Sequence, residues 1–526
     1  MKTLRFLCLL FCFISSNAFA QSTVGTDFWV TFMPNYTDTV TVMPVELNVV
    51  VAAKRTCEVS VMHPQSGWIE SLIVDAGTTT INIPSELAYF ENASDTILNN
   101  AFHVACKDSI SLYVSNYRKA TFDVSNVLPV NTLGCSYIVQ VSPPYPPHFA
   151  PYMCSEISIV ATEDETAIEI DLTYDSQNGH FAHQPFCVTL DAGQSYQVQC
   201  DYNGPSDLSG TRITSVDGKP IAVFAGDRGC EIPLGHYAVE HIFEQMIPIE
   251  YWGQRFVVMR SGSLKDKVRV TALNDNCRVF KDGALLITLV SGETFEFEID
   301  REASYIETTE PALVYKYLTC ATYNFPYPGP VLGDPSMVYV APLSCPVDYA
   351  MFPTFSQSCE YHYVNVVTET AYVGGMMLDG LPIDACFRVV PGKDEYSFAN
   401  IEIGPTSHTL SCSLGGFIAD TYGLGEWESY AFSVGANFSG YPLHIDGNAG
   451  LDVAMYPIPA QTEVTVEAEE LIRIRLLDAF GLLVLDEKCM PVNVVKLDVS
   501  AMPQGVYLLE ITTTKGKTTK RLVIAK

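Results

Sequence analysis

One phrase recurs four times along this chain and limits its fold more than any other feature. It is an apolar residue, a tight turn ending in Gly, then a strand of alternating residues. It reads Val74-Asp75-Ala76-Gly77 before Thr80-Ile81-Asn82-Ile83, and Leu190-Asp191-Ala192-Gly193 before Tyr196-Gln197-Val198. It returns as Leu289-Val290-Ser291-Gly292 before Phe295-Glu296-Phe297-Glu298-Ile299, and as Val390-Pro391-Gly392 before Tyr396-Ser397-Phe398. The glycines lie 116, 99 and 100 residues apart. Gly suits a turn of positive φ, where a Cβ would clash. Upstream segments keep their place around the phrase, as in Val49-Val50-Val51-Ala52, Ser158-Ile159-Val160-Ala161 and Arg269-Val270-Thr271-Ala272. So do downstream ones, as in Ile110-Ser111-Leu112-Tyr113-Val114, Pro220-Ile221-Ala222-Val223-Phe224 and Pro311-Ala312-Leu313-Val314-Tyr315.

Short strands separated by turns at spacings of about 8–12 residues predict β-sandwiches. The chain therefore reads as all-β, with a body over 21–435 built of four tandem sandwich repeats at about 45–142, 155–260, 266–350 and 360–435. The alternative is a β-propeller-like body with two blades per unit, since blades recur at roughly 40–50 residues. One short helix is expected over 239–246, where Val239, Ile242, Phe243 and Met246 fall three and four apart.

The two ends have a different character. Lys2 and Arg5, the apolar run Phe6 to Ile14 and the small-residue site Ala18-Phe19-Ala20 read as a signal peptide over 1–20. No later apolar run is long enough for a membrane span. Residues 436–450, rich in Gly and Asn, read as a linker. Over 451–526, strand patterns such as Ile472 to Leu477 and Tyr507 to Ile511 predict a small Ig-like sandwich of roughly seven strands.

Charge divides the chain along the same boundary. Lys and Arg total 30 against 60 Asp and Glu, a formal charge of −30. The tail is close to neutral, so the acidity belongs to the body. Such a body is a poor partner for nucleic acid or an anionic membrane, both of which attract Lys and Arg. The plain reading of the acidic residues is a solvated surface.

Sixteen Cys include Cys8 and Cys12 in the signal segment, which leaves 14. In an exported protein some of these are expected to pair. No CxxC occurs, so a zinc ribbon or thioredoxin-type site is not indicated. Cys187 and Cys200 flank the turn at Gly193 and are candidates for a disulfide across a hairpin.

No pattern of catalytic residues emerges, and no catalytic or metal-binding residue is assigned. Gly-x-Ser-x-Gly and phosphate loops are absent. His180 and His183 are three apart in a polar loop, on opposite faces if extended. His236, Glu240, His241 and Glu244 lack the i, i+4 His pair of a zinc hydrolase. Acidic runs at Glu163-Asp164-Glu165 and Asp201 to Asp207 offer oxygen ligands that Ca²⁺ could use, though without EF-hand spacing. Two Pro-aromatic loops are candidate ligand-binding tips: Tyr323, Phe325 and Tyr327 in one, Tyr145 and Phe149 in the other.

Two resemblances sharpen this reading. Met455-Tyr456-Pro457-Ile458-Pro459-Ala460, Leu497-Asp498-Val499-Ser500, Gly505-Val506-Tyr507-Leu508 and Lys520-Arg521-Leu522-Val523 resemble, in order and spacing, the type IX secretion (Por) C-terminal sorting domain. Ile458 stands where that family usually has Asn. The resemblance implies a Bacteroidetes-type cell, the type IX secretion machinery as partner, and delivery to the cell surface or medium. It marks Tyr456, Pro457, Pro459, Gly505, Tyr507 and Lys520 as the sorting signal.

The body resembles the IgGFc-binding protein N-terminal domain family. The match rests on Gly25-Thr26-Asp27-Phe28-Trp29-Val30, on Lys219 to Gly226 with Cys230 and Pro233, and on His241-Ile242-Phe243-Glu244-Gln245-Met246 with Pro248, Trp252-Gly253 and Phe256-Val257. The family often has a Cys where Val239 stands here, so its disulfide pattern does not transfer through Cys230. The resemblance implies a non-enzymatic binding or adhesion protein for host protein or glycoconjugate. It also makes His241 and Glu244 a structural corner. A carbohydrate-active or proteolytic enzyme and a structural envelope component are the alternatives.

Overall fold

The computed structural model describes residues 22–36, 44–91, 93–144, 153–201, 207–236, 238–325, 328–357, 359–438, 453–457, 460–477, 483–500, 502–503, 505–513 and 516–524. They fall into two compact units, Met1–Gly440 and Tyr441–Lys526. Both are β-structure, and every strand ladder is antiparallel.

The four repeats come in two versions. Each opens with a strand about 10–20 residues ahead of the start expected from the sequence: Val24–Val30, Ser136–Ile138, Gly253–Met259 and Tyr349–Phe352. Repeat one is a single seven-stranded sheet in the order Trp68–Val74, Cys57–His63, Phe102–Arg118, Glu46–Ala53, Gly77–Ile83. Val24–Val30 and Thr121–Val127 also pair with Phe102–Arg118. Repeat three has the same plan: Ala284–Leu289, Cys277–Lys281, Ala303–Leu318, Lys267–Ala272, Thr294–Glu298, with Gly253–Met259 and Ser336–Tyr339 added to Ala303–Leu318.

Repeats two and four divide the same strands between two sheets. In repeat two, Phe186–Leu190, Thr166–Asp171, Arg212–Ser215 and Ser136–Ile138 form one. Glu240–Gln245, Ile221–Cys230, Ser155–Ala161, Ser195–Gln199 and Thr96–Leu98 form the other, so repeat one lends repeat two a strand. In repeat four a four-stranded sheet from Tyr349–Phe352 faces a five-stranded one ending in Glu428–Gly435. None of these orders is the consecutive meander of a propeller blade, and the layered-sheet reading holds.

The recurring turn glycines have φ of 125°, 78°, 81° and 78° at Gly77, Gly193, Gly292 and Gly392, the left-handed region that favours Gly. The turn at Gly193 joins strands of different sheets. That corrects the hairpin pictured between Cys187 and Cys200. Cys187 is exposed opposite Glu169, Cys200 is buried beside Ser176, and both thiols are unpaired.

The helix expected over 239–246 is a strand, Glu240–Gln245, hydrogen-bonded to Ile221–Cys230. All six of its residues are buried. Burial on both faces erases the alternation that marks a strand, and leaves apolar spacings that mimic a helix.

The body closes on itself. Thr23 N donates to Ala436 O at 3.0 Å, and Ser22 bridges Asn437. A shared core joins repeats one and four, with Val50, Tyr113, Phe122 and Val124 packed among Phe352, Phe355, Tyr430 and Phe432.

In the tail the described residues form five strands rather than about seven: Val453–Tyr456, Glu463–Leu477, Leu483–Asp498, Gly505–Thr513 and Gly516–Ile524. Glu463–Leu477 and Leu483–Asp498 are 15 and 16 residues long and shift register midway instead of breaking. Strands expected to be separate are thereby fused. They wrap Val464, Ile474, Leu509, Ile511 and Leu522 into one core.

Candidate functional site

Each repeat ends in a strand that runs into the middle of the body: Thr121–Val127, Glu240–Gln245, Ser336–Tyr339 and Glu428–Gly435. These four closing strands pack in a cycle. They share no ladder, so their facing backbone groups need other partners. Acidic and amide side chains supply them. Glu240 Oε1 accepts from Phe122 N at 2.6 Å, and Gln245 Oε1 from Leu128 N at 2.6 Å. Glu428 Oε1 accepts from Ala120 N at 2.7 Å. Asp123 takes Ser336 Oγ at 2.6 Å and the amides of Met337 and Phe243 at 3.3 Å each. Glu244 Oε2 accepts from Ser125 Oγ at 2.6 Å.

Taking these carboxyls out of water raises their proton affinity. Desolvation holds Asp123, Glu240, Glu244 and Asp334 well above the carboxylate range, and pushes Glu428 up to about 8. Glu240 and Asp334 meet carboxyl to carboxyl. His241 Nδ1 donates to Asp227 O at 2.9 Å, and its Nε2 accepts from Asn116 Nδ2 at 3.2 Å. Desolvation lowers this imidazole to about 3, so it stays neutral. Asp123, Glu240 and His241 are 0% exposed and Glu244 2%. No substrate reaches them, and their chemistry is that of interstrand struts. The same holds for the His241 and Glu244 corner read from the sequence. Part of the acidity read as solvated surface is thus interior.

At the surface, the Tyr323 loop is the best-defined aromatic feature among the candidates. Tyr323 lies half-buried on a single helical turn, Ala321–Asn324. Asn324 pins that turn. Its Nδ2 donates to Thr319 O at 3.1 Å and Thr319 Oγ1 at 2.9 Å, and its Oδ1 accepts from Lys265 N at 2.7 Å. The Lys265 and Lys267 ammonium groups lie 5.0 and 5.4 Å from the Tyr323 ring centre, and His236 meets the ring edge-on at 4.7 Å. The phenol donates to Glu298, and that bond, ahead of desolvation, raises it to about 12.

Phe325 instead packs on a buried cluster with Leu318 and Leu424. Tyr327, Tyr145 and Phe149 lie outside the described residues. The sequence reading missed the two lysines and Glu298. The alternation in Lys265-Asp266-Lys267 was the available signal, but nothing linked it to a loop some 55 residues away.

The metal candidates are otherwise engaged. Asp164 accepts from Ala192 N at 3.1 Å, Asp207 pairs with Arg269 at 3.2 Å, and His180 stacks on Phe186 at 3.6 Å. Among the described residues no three His, Cys, Asp or Glu side chains are placed to hold a metal ion. Nor is any described helix long and apolar enough to cross a membrane.

In the tail, Tyr456 is 48% exposed at the end of its strand, and Pro457 and Lys520 are exposed too. Tyr507 is buried, its hydroxyl donating to Pro503 O at 2.9 Å. Gly505 opens a strand opposite Ile524, and Pro459 lies outside the described residues.

Comparison with known proteins fits this division. The family described as IgGFc binding protein matches residues 123–423. The family described as secretion system C-terminal sorting domain matches residues 454–525. A human protein named IgGFc-binding protein is 25% identical over 427 residues, covering 78% of this chain and 7% of its own length. The chain thus spans less than a tenth of that relative. Among solved structures, dimeric latent PorU from Porphyromonas gingivalis aligns at 11% identity over 58% of this chain and 31% of its own, with a TM-score of 0.12. A Ruminococcus gnavus β-glucuronidase aligns at 10% over 53% and 37%, with a TM-score of 0.14. Overlays this poor bear on neither fold nor activity. The sorting domain marks the chain as cargo of the type IX route to the cell surface or medium. With that tail behind a body matched over more than half of the chain, from the first closing strand through the third, the chain belongs to the IgGFc binding protein family.

Proposed function

We propose that this exported protein is a non-enzymatic binding or adhesion protein, and that it takes a host protein or glycoconjugate on the surface around Tyr323. The observation that carries this reading is an aromatic ring held on a pinned turn with Lys265, Lys267 and His236 about it, on an otherwise strongly acidic body. A preorganised ring loses little entropy on binding, and it stacks on sugars and apolar side chains alike. Lys267 is paired with Glu298 at 3.5 Å, and Lys265 beside it favours an acidic group on the ligand, such as a sialylated or sulphated glycan or an acidic peptide segment. Family membership and the sorting domain support a binding role outside the cell.

The mature chain, arrayed against IgG Fc, mucin and acidic polysaccharides, is expected to give a saturable signal that weakens with salt. Tyr323→Ala should reduce affinity at least about tenfold while leaving the melting temperature within 1–2 °C or so. A blank array with turnover of a polysaccharide or protein would overturn the reading in favour of an enzyme. A blank array with ordered self-assembly would favour an envelope component.

A further inference from the structure

Cys57 and Cys106 meet across a strand ladder of repeat one. Cys57 opens the strand Cys57–His63, and Cys106 lies on Phe102–Arg118 next to it. Val59 is directly opposite Cys106 in that ladder. Cys57, two residues before Val59, projects from the same face and is the diagonal neighbour of Cys106. The two side chains are in hydrogen-bond contact, and both are buried, at 6% and 9% exposure. Repeat three supplies an internal control. Cys277 stands where Cys57 does, and Val279 is opposite Thr308 as Val59 is opposite Cys106. Cys277 therefore has a threonine where Cys57 has a thiol.

We infer that Cys57 and Cys106 are joined by a disulfide in the exported protein, stapling the outer strands of repeat one to its long central strand. The oxidant is a disulfide-bearing thiol oxidoreductase of the export compartment. One of the two thiolates attacks the carrier's disulfide, giving a mixed disulfide and a free carrier thiol. The second protein thiolate then attacks the protein sulfur of that mixed disulfide and expels the carrier's other cysteine as thiol. Two electrons and two protons pass to the carrier, which leaves as a dithiol. Desolvation, with the partner thiol next in order, pushes Cys57 up to about 12, so the folded pair is a poor nucleophile. Oxidation accordingly belongs to folding, before the strands close over the pair.

The test uses the full mature chain recovered from the outside of the cell. It is denatured, alkylated without reductant, and digested. No Lys or Arg lies between Thr56 and Lys107, so trypsin leaves both cysteines in one peptide. Cleavage after Glu58 and Glu91 then separates them. The expected result is a linked pair of peptides, about 2 Da lighter than the two thiol forms together, which falls apart on reduction. Cys277 should be alkylated in the same digest. Alkyl groups on both Cys57 and Cys106, or a bond from either to another cysteine, would overturn the inference. Stability gives an independent reading that the structural role of a buried thiol would not. Reductant should lower the wild-type melting temperature by about 5 °C and leave Cys57→Ser/Cys106→Ser unmoved. Equal effects of reductant on both proteins would also overturn it.

Discussion

Repeats one and three keep seven strands in one sheet, whereas repeats two and four split the same set in two, and the difference comes down to a few residues at one joint. In all four, the first strand of the repeat crosses from one half to the other at an equivalent bridge: Gly25 to Ile110, Gly134 to Ile221, Gly253 to Ala312 and Val347 to Phe417. In repeat one the strand opposite runs unbroken for 17 residues, and in repeat three for 16. Both absorb the crossing as a bulge, skipping from Ile110 to Ala105 and from Ala312 to Glu307 against a two-residue step on the partner. In repeat two the joint holds Asp217-Gly218-Lys219-Pro220, with Gly218 at φ 79°. In repeat four it holds Gly415-Gly416. A turn or paired glycines end the strand where a continuous run bends it. One architecture thus tolerates fused and divided sheets, provided the closing strand still reaches the centre.

That condition gives the largest expected effect. Gly226 lies on the strand beside the second closing strand, and a Cβ there would sit 1.8 Å from Ile242 O and 2.8 Å from Phe243 Cα. Backbone cannot move aside as a side chain can. Gly226→Ala is expected to cost more than about 4 kcal/mol and to leave the body largely unfolded by circular dichroism. Gly77→Ala in repeat one meets nothing closer than Ser407 Oγ at 3.9 Å. Its cost is the positive φ alone, about 1 kcal/mol. Similar losses from the two would show that the centre is no more constrained than the periphery. Next in size is Asp123→Ala. It strips Ser336 Oγ and the amides of Met337 and Phe243 of their acceptor in a dry interior. About 3 kcal/mol should be lost in chemical denaturation; a loss below about 1 kcal/mol would mean that water replaces the carboxyl.

What could be read from the sequence divides along the same line. The repeat phrase, its positive-φ glycines and the tail are local, and local chemistry writes them into neighbouring residues. The closing strands are not local. Glu240 satisfies the amide of Phe122 across 118 positions, and Ser336 meets Asp123 across 213. Nothing near Glu240 says that it is interior. A strand with acids among its apolar residues reads as half-exposed until the rest of the cycle surrounds it, and the spacings of Ile242, Phe243 and Met246 then mislead toward a helix. The candidate site was legible only as a loop. Tyr323 stood out because Pro and aromatic residues cluster around it, but Lys265, Lys267 and His236 reach it through folding.

Repeat three offers a way to sharpen its likeness to repeat one. Cys277 Sγ and Thr308 Oγ1 both bond Glu310 O, at 3.8 and 2.7 Å, so the two side chains converge on one point. Under oxidised glutathione, Thr308→Cys should give a cross-link from position 277 to 308 and raise stability by up to about 2 kcal/mol, engineered disulfides often yielding less than loop entropy alone predicts. Failure to cross-link while Cys57 and Cys106 do so would show that the bulges differ despite their common register.

The smallest effect separates the centre from the surface by pH. Glu428 ionises near pH 8 in the folded body because burial opposes its charge, against about 4.5 when exposed. The folded state therefore holds a proton that the unfolded chain has lost. Its contribution is complete below pH 4.5 and disappears as pH rises through 8. His241, held neutral in the fold, works the other way, but only below its ordinary value of 6.5. Between pH 8 and 6.5 the carboxyl effect stands clear, and from Glu428 alone it is worth about 1.5 kcal/mol. Stability should rise as pH falls across that window. Glu428→Gln keeps an acceptor for Ala120 N and removes the proton, so it should flatten the slope by about that amount in denaturation curves taken at the two pH values. An unchanged slope would mean that Glu428 is charged in the fold and that water reaches the centre.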